Sequence, residues 1–217
     1  MTVLLAGRRV VVSAGPTYED IDPVRFIGNR SSGRMGFAVA AAAADAGAEV
    51  VLVAGPVHIE APAGVTRIDV RSAAQLRDAV LGALPADVYV AAAAVADWTP
   101  RAAAGHKLKK QPGVDHLVLE LVRTPDVLAE VAAHPLRPRL VVGFAAETED
   151  LVANARAKLA AKRIDLIAAN RVGLPGSGFE SDTNTLVVVG DGFERQLGPA
   201  TKKALAATLV QLIAGRS

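Results

Sequence analysis

Between Gly15 and Gly36 the chain reads Gly-Pro-Thr-Tyr-Glu-Asp-Ile-Asp-Pro-Val-Arg-Phe-Ile-Gly-Asn-Arg-Ser-Ser-Gly-Arg-Met-Gly. Within it Arg25, Asn29, Arg30, Ser31, Ser32 and Arg34 gather guanidinium, amide and hydroxyl groups, far more polar chemistry than a chain turn needs. The apolar run Val10-Val11-Val12 leads in, and the alanine-rich run Phe37 to Ala46 leads out. A strand, a polar loop and a helix in that order form the place where α/β proteins bind phosphates, because the helix start offers free N–H groups and the positive end of a dipole. The plainer reading is a capped helix with a glycine turn, which leaves Arg25 and Asn29 unexplained. The spacings Gly-x-x-x-x-Gly-Lys-Ser/Thr and Gly-x-Gly-x-x-Gly are both absent, which argues against a P-loop kinase and an ordinary NAD site.

Four further segments carry chemistry. Ala91 to Pro100 reads AAAAVADWTP; small residues at the carboxyl end of a buried strand let a ligand approach the backbone, and Asp97 lies just past that end. His106-Lys107-Leu108-Lys109-Lys110 follows in a long loop. Such lysines are usually a solvated face, yet in a phosphate site a mobile lysine closes over a triphosphate. The surrounding stretch Ala102 to Pro112 is polar and contains glycine, so it is expected to move without ligand. Lys158 and Lys162 lie four apart, on one helix face, as solvated lysines or as a frame for a polyphosphate. Phe144 is a core residue or a surface for a base. His58, His106, His116 and His134 lack metal-ligand spacing and are read as structural or surface residues.

The elements that must position these groups alternate. Strands are expected at Arg9 to Ala14, Glu49 to Ala54, Val65 to Val70, Asp87 to Val95, Arg139 to Ala145 and Asp165 to Ala169. Helices are expected at Gly33 to Ala46, Ser72 to Leu84 (with Ser72 and Gln75 as a capping box), from Thr124-Pro125-Asp126 with Thr124 at the cap and Pro125 at the first position, and at Glu149 to Arg163. This alternation predicts an α/β fold, a Rossmann-like, mostly parallel sheet with helices on both faces. Asn184 to Val189, Gly190-Asp191-Gly192 and Phe193 to Leu197 read as a β-hairpin, and a last helix covers Ala200 to Ala214. The segment Ala96 to Arg123 is too long for an ordinary connection, which marks it as functional or mobile.

Composition bounds the rest. A chain of 217 residues defaults to one domain, residues 1–217, and 51% hydrophobic residues allow a sizeable core. Aromatic residues at 4% and a formal charge of +2 give no support for a nucleic-acid or membrane partner. The chain has no cysteine, which excludes disulfides, thiolate catalysis and cysteine-ligated metals. No signal peptide or spanning apolar run is visible, so a cytoplasmic protein is expected.

The segments SAGPTYEDIDPVRFIGNRSSGRMG, AAVADW, KLKK, TPDVL, VGFAAET, AKLAAKRIDLIAAN and GFESDTN, in this order over nearly the whole chain, resemble phosphopantothenoylcysteine synthetase. That activity is the C-terminal half of a bacterial bifunctional coenzyme A biosynthesis protein. The decarboxylase half that precedes it in the family is missing, and Met1 reads as the start of a separately expressed half. The resemblance implies a phosphopantothenate-cysteine ligase: 4′-phosphopantothenate is activated by CTP, with Mg²⁺, to an acyl-cytidylate with release of pyrophosphate. Cysteine then displaces CMP. It implies that Asn29 holds the acyl-nucleotide with Arg25 beside it, and that the Ala93 and Ala94 backbone lines the substrate channel. Asp97, Lys107, Pro125, Asp126, Val127, Leu128, Phe144, Lys158 and Lys162 are implied to contact the nucleotide, Lys107 from a flexible flap. Asn29 and Lys107 are the expected catalytic residues, with the metal ligands unassigned. The resemblance also implies a homodimer, with the hairpin around 184–197 a plausible part of its interface. The competing readings are an NAD-dependent or nucleotide-sugar Rossmann enzyme, which needs a glycine fingerprint, and a nucleotide-sensing module, which does not account for the flap lysines together with Arg25 and Asn29.

Overall fold

The structure, a computed structural model, describes residues 4–110, 112–113, 115–172 and 181–217. Strands β1 (Arg9–Ala14), β2 (Tyr18–Asp20) and β3 (Phe26–Gly28) precede helix α1 (Arg34–Asp45). β4 (Glu49–Ala54), β5 (Val65–Asp69) and α2 (Ala73–Gly82) follow, then β6 (Val88–Ala91), β7 (Trp98–Pro100) and β8 (Leu121–Arg123). The remainder is α3 (Val127–Ala133), β9 (Leu140–Glu147), α4 (Leu151–Lys162), β10 (Leu166–Arg171), β11 (Thr183–Gly190), β12 (Phe193–Thr201) and α5 (Lys202–Ala214).

Eight strands form one sheet in the order β12-β11-β10-β9-β6-β1-β4-β5. The six from β5 to β10 are parallel, and β11 and β12 close the edge as an antiparallel hairpin. The parallel strands, counted in chain order, run third, second, first, fourth, fifth, sixth. That is the doubly wound order, and it reverses between β1 and β6. Period-2 alternation splits each strand between two layers. Val10, Val12, Val50 and Leu52 face α1 and α5, while Val11, Val51 and Val53 face the layer holding α2, α3 and α4. Strands buried on both faces explain the unbroken valine runs.

Several expectations are corrected. The fourth predicted strand, Asp87 to Val95, leaves the sheet after Ala91: Ala92 N–H donates to Ser13 O at 3.0 Å and Ala94 N–H to Gly15 O at 2.8 Å. The backbone there turns to follow the loop after β1 instead of β9. The long segment after it is not structureless, because β7 and β8 pair antiparallel across its ends. A second small ribbon, β2 with β3, lies inside the polar loop. Three-residue strands fall below any readable periodicity. Helix α3 is capped by Asp126, whose side chain accepts from Ala129 N–H at 3.1 Å, and not by Thr124, whose hydroxyl is committed elsewhere. The capping box of Ser72 and Gln75 is present at α2. The closing hairpin is longer than its pattern: β12 continues to Thr201, which then caps α5.

Close approach fixes α1. A Cβ on Gly36 would lie 2.5 Å from Ala14 Cβ, so only glycine lets the first turn of α1 rest on the end of β1. Gly33 supplies the helix cap at φ 74°, a left-handed backbone.

Beneath this contact, Tyr89 on β6 is fully buried, and its hydroxyl lies 3.1 Å from Ser13 Oγ on β1. Burial pushes the phenol up to about 12, against the smaller opposing effect of the Ser13 hydrogen bond. The folded chain thus holds this proton more tightly than the unfolded chain. The resulting stabilisation is complete below about pH 10, amounts to about 2–3 kcal/mol, and is lost as the pH rises from about 10 to about 12. Unfolding free energies across that window should fall more steeply for the native chain than for Tyr89→Phe. Absorbance titration should show a late tyrosinate step that Tyr89→Phe abolishes; equal slopes and an unchanged titration would contradict the assignment.

Candidate active site

A cavity of about 920 Å³ opens at the carboxyl ends of β1, β6 and β9, where the strand order reverses. Its floor is Ser13, Tyr89 and Ala91. One wall is the loop from Asn29 to Gly33 with the first turn of α1. The other is built from Pro125 to Leu128, Phe144, Lys158 and Lys162.

The segment Ala92 to Asp97 crosses between the walls and is held by two threonines. Thr17 Oγ1 accepts from Ala96 N–H at 2.9 Å, and Thr124 Oγ1 donates to Ala96 O at 2.6 Å. Asp97 O in turn accepts from Thr124 N–H at 3.1 Å. With one peptide gripped on both sides, the neighbouring alanines present main chain to the cavity. Asn29 Nδ2 donates to Val95 O at 2.9 Å, which ties the polar loop to this segment.

The predicted residues therefore fall into two groups. Asn29, Ala93, Ala94, Asp97, Pro125, Asp126, Val127, Leu128, Phe144, Lys158 and Lys162 all line the one cavity. Arg25 and Lys107 do not. Arg25 turns to the carboxylate of Asp22, and Lys107 is exposed on the long segment beyond β7. Arg25 is engaged instead in an ion pair with Asp22, a fully buried carboxylate that needs a cation.

Charge is organised along the second wall. Lys158 Nζ donates to Phe144 O at 2.9 Å, and burial lowers its pKa, with Glu147 opposing the shift. Lys162 pairs with Asp126. Burial alone would raise the Asp126 pKa, but the hydrogen bonds from Lys162 and Ala129 N–H outweigh it and the net shift is downward. Asp126 is therefore at once the cap of α3 and the anchor of Lys162. At the opposite end, the mostly buried Lys202 lines the cavity together with Arg34, Asn170 and Asn184. Burial and the Arg34 charge lower the Lys202 pKa, while Asp182 opposes. Arg34 Nη1 donates to Asp182 at 2.6 Å. Cations at both ends, helix and loop N–H groups between them and an exposed strip of main chain make a receptor for an extended polyanion.

Sequence reasoning missed Lys202, Arg123 and Trp98, and the clamping role of Thr17 and Thr124. The Arg123 guanidinium lies 5.9 Å from the Trp98 ring at the cavity mouth. Asn170, Asp182 and Asn184 lay within segments already singled out; Gly178, Phe179 and Glu180 of the same stretch fall outside the described residues. Lys202 had no signal, since it is distant in sequence from every other wall. Among the described residues no group of three or more His, Asp or Glu stands together to hold a metal ion. No described helix is long and apolar enough to cross a membrane.

Fold and cavity together define a doubly wound α/β domain with an anion-binding crevice at its switch point. Residues 5–216 match the family of DNA/pantothenate metabolism flavoprotein C-terminal domains, and the chain belongs to that family. It is 46% identical over 211 residues to the coenzyme A biosynthesis bifunctional protein CoaBC of Vibrio cholerae, covering 97% of this chain and 53% of that protein. The identity to CoaBC of Bacillus subtilis is 47% over 216 residues, 98% of this chain and 52% of that one. The chain thus spans about half the length of the curated relatives it matches. The crystal structure of the C-terminal domain of CoaBC superposes with a TM-score of 0.83 at 37% identity, covering 99% of this chain and 97% of that one. The same fold recurs in a Cab2 variant at 14% identity, with a TM-score of 0.79 over 96% of this chain and 86% of that one.

Proposed function

We propose that this domain is a phosphopantothenate-cysteine ligase of coenzyme A biosynthesis that uses CTP. One observation carries the reading: in a chain of this family, the loop at Asn29, the clamped main chain at Ala93 and Ala94 and the lysine wall at Lys158 and Lys162 enclose one cavity. The Cab2 structure of the same fold is a complex with phosphopantothenate-cysteine, the product such a ligase makes.

In the first step the carboxylate of 4′-phosphopantothenate attacks the α-phosphorus of CTP. A C–O–P bond forms, the bond to the β-phosphate breaks and pyrophosphate leaves. In the second step the cysteine amine attacks the acyl carbon, the C–N bond forms, CMP leaves with the anhydride oxygen and the amine proton is released. Two anions must meet in the first step, so the chain has to supply positive potential without neutralising it in advance. Lys158 and Lys162 frame the polyphosphate, and Phe144 with Pro125 to Leu128 forms the side against the base and ribose. Asp97 contacts the nucleotide. The Asn29 amide holds the acyl phosphate, already oriented by Val95 O. Lys107, carried on its flap, meets the triphosphate from the solvent side. Asp97 and Asp126 are the carboxylates on the cavity wall and would be the residues to hold Mg²⁺ brought by the nucleotide, where it would neutralise charge on the phosphates.

A homodimer is part of this proposal. The hairpin of β11 and β12 buries Leu186, Val188 and Leu197 in its own core, whereas Val24, Phe26, Trp98, Leu117 and Val118 are large apolar residues left exposed around the two small ribbons. That face fits a second copy better than the closing hairpin does. Sedimentation analysis should give a dimer that Phe26→Glu with Val118→Glu converts to monomer; a monomeric native chain removes the dimer.

Pyrophosphate release should require CTP and 4′-phosphopantothenate together, with kcat/KM far higher for CTP than for ATP. Release that ignores phosphopantothenate, or CTP binding without any turnover, would replace the ligase by a nucleotide-sensing module; equal kcat/KM values would remove the nucleotide preference alone.

Lys107→Gln keeps the stem and loses the charge. It should leave the melting temperature unchanged and cost about 2–4 kcal/mol in transition-state stabilisation by kcat/KM. Native rates in this variant would return Lys107 to the solvated surface.

A further inference from the structure

Asp22, in the turn between β2 and β3, has a side chain with no solvent exposure. Its Oδ1 accepts from Val24 N–H at 2.8 Å and Arg25 N–H at 2.9 Å, which is all that the local turn requires. Its Oδ2 is used differently. It accepts from Arg25 Nε at 3.0 Å and Nη2 at 2.5 Å, and also from Leu108 N–H at 3.0 Å, 86 residues away in sequence. Arg25 Nη2 donates in addition to Leu108 O at 2.9 Å. The Leu108 peptide is thus gripped at both ends, by the carboxylate through its N–H and by the guanidinium through its C=O. A second tie joins the same two stretches: Ala104 N–H donates to Ile21 O at 2.9 Å.

These ties bracket Lys107. The segment is pinned at Ala104 and at Leu108, both times to residues 21 and 22, and Lys107 projects from the short span between. From the same turn, β3 runs directly to Asn29. The Arg25 hydrogen bond, first among several donors, also holds the Asp22 carboxyl well below the usual carboxylate range, so the acceptor is ionised at any working pH.

We propose that Asp22 is a positioning residue: with Arg25 it clamps the root of the lysine segment to the β2–β3 ribbon and so sets Lys107 in register with Asn29. The clamp assigns Arg25 a share in placing the segment, in keeping with its position outside the cavity wall. The inference rests on the ligase reading for its catalytic consequence, but the clamp itself is testable without turnover.

Asp22→Asn is the discriminating change. The amide oxygen can take over the Oδ1 bonds of the turn, while the amide N–H₂ faces the Arg25 and Leu108 donors and breaks the clamp. Trypsin should then cleave after Lys107, Lys109 and Lys110 about tenfold faster than in the native chain without nucleotide, with cleavage elsewhere unchanged. In turnover, kcat/KM for CTP should fall about tenfold or more, and adding Lys107→Gln should cost little beyond that, because the lysine is already misplaced. Leu108→Pro removes the N–H that Asp22 receives and leaves the buried carboxylate intact; the bond after Lys107 then resists trypsin, so the faster cleavage should be read after Lys109 and Lys110, and this variant serves if Asp22→Asn does not fold. Native cleavage rates in both variants overturn the clamp, whatever the activity. Faster cleavage with additive losses for Asp22→Asn and Lys107→Gln shows a clamp that does not position the lysine, and overturns the catalytic part. A native chain without ligase turnover sinks the functional reading while leaving the proteolysis result to decide the clamp.

Discussion

The contact between the start of α1 and the end of β1 is the constraint on which the rest of the molecule depends. A side chain at Gly36 would collide with Ala14, so the helix can lie this close only at glycine. That approach aims the first N–H groups of α1 across the carboxyl ends of β1 and β6, where the sheet order reverses. After Ala91 the chain parts from β9 and follows the loop after β1, half-buried beside the first turn of α1. The crevice and the helix start at its edge share this one steric cause.

Hydroxyl groups convert that opening into a defined surface. Thr17, after β1, and Thr124, after β8, hold Ala96 through its N–H and its C=O. Both bonds are shielded, so each is worth more here than in water, and breaking one would leave a polar group without a partner. The main chain that a substrate would read is thereby held in place before any substrate arrives, which is what preorganised catalysis requires.

Electrostatics divide the lysines by where they are held. Lys158 is anchored on Phe144 O, and Lys162 on Asp126, which itself is fixed by the start of α3. The half-exposed Lys162–Asp126 pair contributes little to stability; the value of both anchors is geometric, since they keep two lysines on one wall. Lys107 belongs to a different regime. Its segment touches the body of the domain only at intervals, and the buried carboxylate of Asp22 is where that segment is tied down.

The sequence by itself determined the doubly wound sheet and the helix placement, and it marked the polar loop as a candidate anion site. These follow from local rules: valine runs of strand length, helical spacing, and ligand sites at strand ends. The grouping of Asn29, Asp97, Phe144, Lys158 and Lys162 came from the family resemblance, and the structure brings them to one cavity. Only the tertiary structure decided where β6 stops, that Thr124 clamps a peptide while Asp126 caps α3, that Arg25 faces Asp22 instead of the cavity, and that Lys202 reaches the same cavity from the last helix. Thr124 finds its partner 28 residues away, and the Asp22–Arg25 pair sits between two strands of three residues each; neither leaves a period in the sequence. A hydroxyl or a carboxylate looks the same in a sequence whether it serves its own turn or a distant strand; the choice is made by which unpaired donor the packing brings within about 3 Å.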